Sequence, residues 1–198
     1  MRFPSLLLTL TGAAVLTGCS SVISLNPFVT DRQATIDPAL LGTWKPEQRT
    51  GARPSLSVIG LSGDFGDDDL YIIRGSGSAY DITYTDGKFI TQKFEARLIR
   101  VGAAELLDLV PANDDGFQIP AHLLVRVWPK YSKLRWVFLD SDWLKQQAAQ
   151  LLATQPSDDR TLITASSDAL GDFVLKYGSD PRAFNQSADQ QNVLEKVP

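Results

Sequence analysis

From about residue 40 to residue 139 the chain alternates apolar and polar positions in short runs. The clearest is Ser78–Thr85, where Tyr80, Ile82 and Tyr84 face opposite to Asp81, Thr83 and Thr85. A period of two with one apolar side is the pattern of a half-buried strand. Comparable runs are Leu56–Gly60, Leu70–Arg74, Lys88–Glu95, Ala96–Val101, Glu105–Val110, His122–Trp128 and Leu134–Leu139, after a first strand opening at Gly42-Thr43-Trp44-Lys45. Gly75-Ser76-Gly77, Asp86-Gly87 and Gly102-Ala103 separate them as reversals, Asp-Gly being a strong two-residue hairpin signal. His122–Trp128 carries bulk on both faces, Leu123, Val125 and Val127 against Leu124, Arg126 and Trp128. Such a strand lies in a sandwich or barrel wall against a second layer. Short strands joined by tight turns predict an antiparallel meander, and closing it into a barrel removes its exposed edges.

The period changes after Leu139. Residues 140–153 are rich in helix formers behind capping residues, with Leu144, Ala148, Leu151 and Leu152 on one stripe. A second helix is expected over Ser167–Tyr177, its inner face Leu170, Phe173, Val174 and Tyr177, with Gly178 at its end. Asp37-Pro38 suits the start of a helical turn, Asp as cap and Pro in the first position. The fold class expected is therefore mainly β, an antiparallel meander closing into a barrel, followed by two C-terminal α-helices. The chain divides into a leader (1–18), a tether (19–36), a single barrel domain with C-terminal helices (37–184) and a polar, periodless flexible tail (185–198).

Composition narrows the class. With 43% hydrophobic and 21% charged residues the chain has enough apolar material for a core, and removal of residues 1–18 leaves 180 residues for it. The net charge of −4 argues against nucleic acid as a partner, since phosphate binding wants clustered Lys and Arg. One cysteine, Cys19, permits no internal disulfide and no thiolate cluster.

That cysteine closes a leader. Met1-Arg2 is followed by a mostly apolar run from Leu6 to Leu16, too short to span a bilayer, and then by Thr17-Gly18-Cys19. Leu16-Thr17-Gly18-Cys19 resembles the lipobox of bacterial lipoproteins. The resemblance implies cleavage before Cys19, a diacylglyceryl group on its sulfur, and a membrane as partner through that lipid. Burial of each lipid CH₂ contributes about 0.8 kcal/mol. The expected location is the cell envelope. Ser20 lacks the Asp that resembles an inner-membrane retention signal, so a Gram-negative source would imply the periplasmic face of the outer membrane. A Gram-positive source would imply the outer face of the cell membrane.

Gly42-Thr43-Trp44, placed after a short helical turn and before the meander, resembles the opening of a lipocalin. In that family the Trp plugs the closed end of the barrel and an Arg from the last strand packs over its ring, a cation–π contact of order 0.5–2 kcal/mol. The resemblance implies a lipocalin-like barrel closed by Trp44 and Arg135, with Arg126 the second candidate.

Chemistry-bearing residues are sparse. His122, the sole histidine, has no partner at a recognisable spacing and reads as a structural histidine rather than a catalytic base or metal ligand. Gly63-Asp64-Phe65-Gly66-Asp67-Asp68-Asp69 lacks the alternation of an EF-hand loop and reads as a solvated turn, as does Asn113-Asp114-Asp115-Gly116. Ser76 between two glycines is a turn residue. No phosphate loop, nucleophile elbow or dinucleotide fingerprint occurs, so no enzyme activity and no cofactor are expected. Tyr80, Tyr84, Trp128 and Trp136 are candidates to line a cavity for a lipid or other apolar molecule, while Tyr131 is expected at an exposed hairpin tip. Three functions follow in order: a binding module for such a molecule, an assembly lipoprotein touching other envelope proteins, and a hydrolase. A cavity of about 300 Å³ or more favours the first, and a filled interior the second.

Overall fold

The computed structural model describes residues 21–47, 68–85, 91–112, 121–147, 152–157, 160–184 and 192–198. Among them, eight antiparallel strands close into a barrel: β2 (Gly42–Pro46), β3 (Leu70–Ser76), β4 (Ala79–Thr85), β5 (Thr91–Val101), β6 (Ala104–Pro111), β7 (Leu123–Lys130), β8 (Lys133–Phe138) and β11 (Asn192–Lys196). Seven follow one another as a meander. The eighth, β11, pairs with β8 on one side and β2 on the other, through Leu194↔Leu134 and Lys196↔Trp44. This is the lipocalin-like architecture, and no strand of the barrel is left with an open edge.

The end of the barrel at which β2 begins is the closed one. Asp37 accepts a hydrogen bond from the Ala39 amide and starts a single 3₁₀ turn, Pro38–Leu40, whose Leu40 is buried. The hairpins β3–β4, β5–β6 and β7–β8 reverse at this end in two residues each. Gly77 (φ 63°) and Gly102 (φ 60°) supply the left-handed conformation that two of these turns need.

Outside the barrel lies a second layer. It comprises β1 (Ser21–Ser24), α1 (Ser141–Gln147), β9 (Thr154–Ser157), β10 (Arg160–Ile163) and α2 (Ser167–Tyr177). β1 runs parallel to β10, and β10 antiparallel to β9. Ile99, Leu106, Leu124 and Val137 point outward from the wall and pack with Trp143, Leu144, Leu170, Phe173 and Val174 of the helices. The two-sided bulk of β7 has this cause: Val125 and Val127 join the interior, and Leu124 the outer core. α2 sits close, since a Cβ on Gly178 would stand 2.5 Å from Leu106 Cδ1.

Several expectations are corrected. Residues 21–36 are no tether: β1 is a sheet strand, and Phe28 and Val29 are fully buried in the outer core. Residues 192–196 are no tail, because β11 closes the barrel; Asn192 and Leu194 are buried on its inward side, which Lys196 shares, while Val193 and Glu195 alternate with them. The folded unit thus extends beyond 37–184 at both ends. The break expected between Glu95 and Ala96 is absent: β5 runs unbroken from Thr91 to Val101, since no turn residue separates the two. α1 is described over Ser141–Gln147, Leu152 and Ala153 of the expected helix are not helical, and β9 and β10 occupy a stretch for which no element was expected. Cys19, Leu56–Gly60, Asp86-Gly87 and Asn113–Gly116 lie outside the described residues.

Candidate functional site

The barrel interior is built from the inward positions of each strand: Trp44 from β2, Tyr71 and Ile73 from β3, Tyr80, Ile82 and Tyr84 from β4, and Phe94, Ala96 and Leu98 from β5. Trp44 is fully buried and its indole N–H donates to the Leu40 carbonyl at 2.9 Å. A cavity of about 70 Å³ remains in the interior. Its walls are wholly apolar, and include Ile82, Phe94, Leu107, Val125, Trp136 and Phe138.

The four aromatic candidates divide. Trp136 lines the cavity. Tyr84 is buried beside Tyr71, with ring centroids 5.0 Å apart, and Tyr80 is fully buried with its hydroxyl on the Asp37 backbone, so both fill the interior. Trp128 stands on the outer side of the wall, packed against the outer core. Burial pushes the Tyr71 phenol well above its ordinary pKa, with Tyr84 and Asp69 adding to the rise. The Tyr80 phenol is raised for the same first reason, opposed by its hydrogen bond to Asp37.

The closing cation is not the one expected. Lys196 Nζ lies 5.2 Å from the Trp44 ring centre, whereas Arg135 stacks on Trp128 at 5.3 Å. Arg126 stacks on the same Trp128 ring at 4.9 Å. A cation from the last strand does cover Trp44, but the last strand is β11 and not β8.

A second polar centre lies between barrel and outer layer. Asp108, on an outward position of β6, is 1% exposed. Its Oδ2 accepts from the amides of Phe28 (2.9 Å) and Val29 (3.1 Å), and its Oδ1 lies 2.9 Å from His122 Nδ1. His122 in turn exchanges two backbone hydrogen bonds with Ser24. Ser24 Oγ accepts from the Asn26 amide. Asp108 and His122 together therefore fasten residues 24–29 to the wall, and His122 has the structural place expected of it. Exposed ion pairs extend the fastening: Arg97 with Asp31, and Arg100 with Asp37. Asp108 was not singled out from sequence. A lone acid inside Leu106-Leu107-Asp108-Leu109-Val110 is the signal that marks it, since a charge there must be satisfied from the layer above.

No family model, curated protein or solved structure matches this chain. Its class rests on the fold: a lipocalin-like, closed eight-stranded barrel with an added α/β layer.

Proposed function

We propose that the chain is a lipid-anchored envelope protein, held by Cys19, whose barrel is a non-catalytic binding module for a slender apolar group. The carrying observation is the wholly apolar cavity inside the barrel. Its volume narrows the ligand. About 70 Å³ is well below the roughly 300–1,000 Å³ of ordinary ligand pockets. It is also about half the 150 Å³ that admits benzene to an engineered core. The end of one acyl chain or a comparably thin hydrocarbon group fits that space, and a bulky lipid does not. The same small volume favours a second reading, an assembly lipoprotein acting through its outer surface, because Trp44, Tyr80 and Leu98 already fill much of the interior.

Native mass spectrometry of the protein extracted from its own envelope tests both parts. The expected spectrum shows a chain cut before Cys19 and carrying a diacylglyceryl thioether, with a small apolar molecule released on activation. Leu107→Phe, which fills the cavity, is expected to abolish the released molecule while leaving the fold intact. A parent protein that releases nothing would exclude the carrier reading and leave the assembly role. An unmodified Cys19 would exclude the anchor.

A further inference from the structure

At the closed end of the barrel three hairpins reverse in two residues each, and two of them place glycine where φ is positive. The third, β7–β8, places Tyr131 there, at φ 55°. A tyrosine in the left-handed region is strained where glycine or asparagine would not be. Nothing in the core rewards the choice, because Tyr131 is 93% exposed. A strained and exposed aromatic residue at a protruding tip is retained for something outside the molecule.

Its surroundings state the chemistry. From Arg126 to Arg135 the hairpin carries four cations and no acid, in a chain of net charge −4. Lys130 flanks Tyr131 and is exposed. Lys133, also exposed, is tied to Glu47 and Glu195. Behind the tip, Arg135 is exposed above Trp128. Arg126, which also stacks on that ring, has Nε and Nη1 buried without a hydrogen-bond partner. We infer that the β7–β8 hairpin is a membrane contact, inserting Tyr131 into the headgroup layer of an anionic lipid surface while Lys130 and Arg135 meet its phosphates. An amphipathic ring flanked by lysines suits the boundary between water and lipid. A side chain this exposed at the tip of a hairpin suits a surface rather than a small ligand. The inference rests on the proposed membrane location, but the contact itself does not need the anchor.

The test is amide hydrogen exchange of the full chain, as isolated from its envelope, on vesicles of phosphatidylcholine alone and of phosphatidylcholine with phosphatidylglycerol. Exchange across residues 129–134 is expected to slow about five-fold or more on the anionic vesicles, the factor one basic residue near such a surface contributes. The turns at Gly77-Ser78 and Gly102-Ala103 are expected to be unchanged. Tyr131→Gly should keep or raise the melting temperature and still lose the protection. A merely structural role would do the reverse. Equal exchange on both vesicle types would overturn the inference. So would protection that appears only with a soluble poly-glutamate peptide, which would assign the tip to an acidic protein. Failure to attach to the neutral vesicles would count against the Cys19 anchor alone, because the anionic arm still reads the hairpin.

Discussion

Asp108→Ala should detach the segment ahead of β2 before it unfolds the barrel. In the parent the Asp108 carboxylate is the acceptor for two buried amides and the neighbour of a buried imidazole. Truncation leaves the Phe28 and Val29 N–H groups without an acceptor. An unsatisfied buried donor costs about 1–3 kcal/mol, and hydrogen bonds to a charged group lie at the upper end. The expected loss is therefore about 3–5 kcal/mol, a large share of the roughly 5–15 kcal/mol that stabilises a domain. The exposed pairs Arg97–Asp31 and Arg100–Asp37 offset little of this, each contributing about 0–1 kcal/mol. Asp108→Asn separates acceptor from charge. Its carbonyl oxygen can serve both amides and its NH₂ can face a His122 Nδ1 that carries no proton, so the cost should fall to about 1–2 kcal/mol. Urea unfolding gives the global values. Native-state hydrogen exchange at Phe28, Val29 and Thr35 gives the local ones, Thr35 being bonded to the Leu98 carbonyl. In Asp108→Ala those three amides should exchange by an opening well below the global one, with Trp44 still buried. A loss under about 1 kcal/mol with full protection of Phe28 and Val29 would refute the reasoning, for the carboxylate would then not be what holds the segment. An Asn variant as damaged as Ala would refute the weaker claim that acceptor geometry matters more than charge.

Two further outcomes are expected. Because the Tyr71 phenol is raised in the folded state, the stability it contributes is fully present below its unfolded pKa of 10.0 and is lost as pH rises beyond that value. Tyr71→Phe should therefore resist alkaline unfolding better than the parent above about pH 10, and a parallel decline of the two melting temperatures would contradict the assignment. Lys196→Ala should cost about 0.5–2 kcal/mol in urea unfolding and shift the emission of Trp44, whereas Arg135→Ala should leave that emission unchanged. The opposite pattern would restore Arg135 as the cover.

Where the sequence was legible, one physical rule governed the segment alone. Tyr80, Ile82 and Tyr84 point inward because alternation and burial agree on β4, and all three are buried. Asp37-Pro38 caps its turn because both residues act locally. The double-sided bulk of His122–Trp128 implied a second layer, and one lies outside the barrel, although the pattern could not say on which side it would stand or that residues 21–29 would help to build it. Those residues hold Val22, Ile23, Leu25, Phe28 and Val29 but no sustained period, and their place depends on Asp108, about 80 positions away, reaching from the outer face of the wall to their amides.

The most informative failure links two errors that looked separate. Asn192–Lys196 offers two apolar side chains, Val193 and Leu194, and no helical or strand period long enough to stand out from a solvated end. Only closure explains it: a meander of seven strands leaves β2 and β8 with unpaired edges, and five residues that can donate and accept on both sides satisfy the two at once. Once β11 is counted as the last strand, Lys196 falls opposite Trp44 in the register, and the cation that the lipocalin resemblance placed over that ring lies there. Arg135 was chosen because β8 was taken as the end of the barrel. It points instead to the outer side, where it shares Trp128 with Arg126. The rule relating a last-strand cation to the plugging Trp therefore held, and the wrong residue followed from an uncounted edge. In a closed barrel the number of edges is a constraint as strong as hydrophobic period, and here it outranks period at the residues where period is weakest.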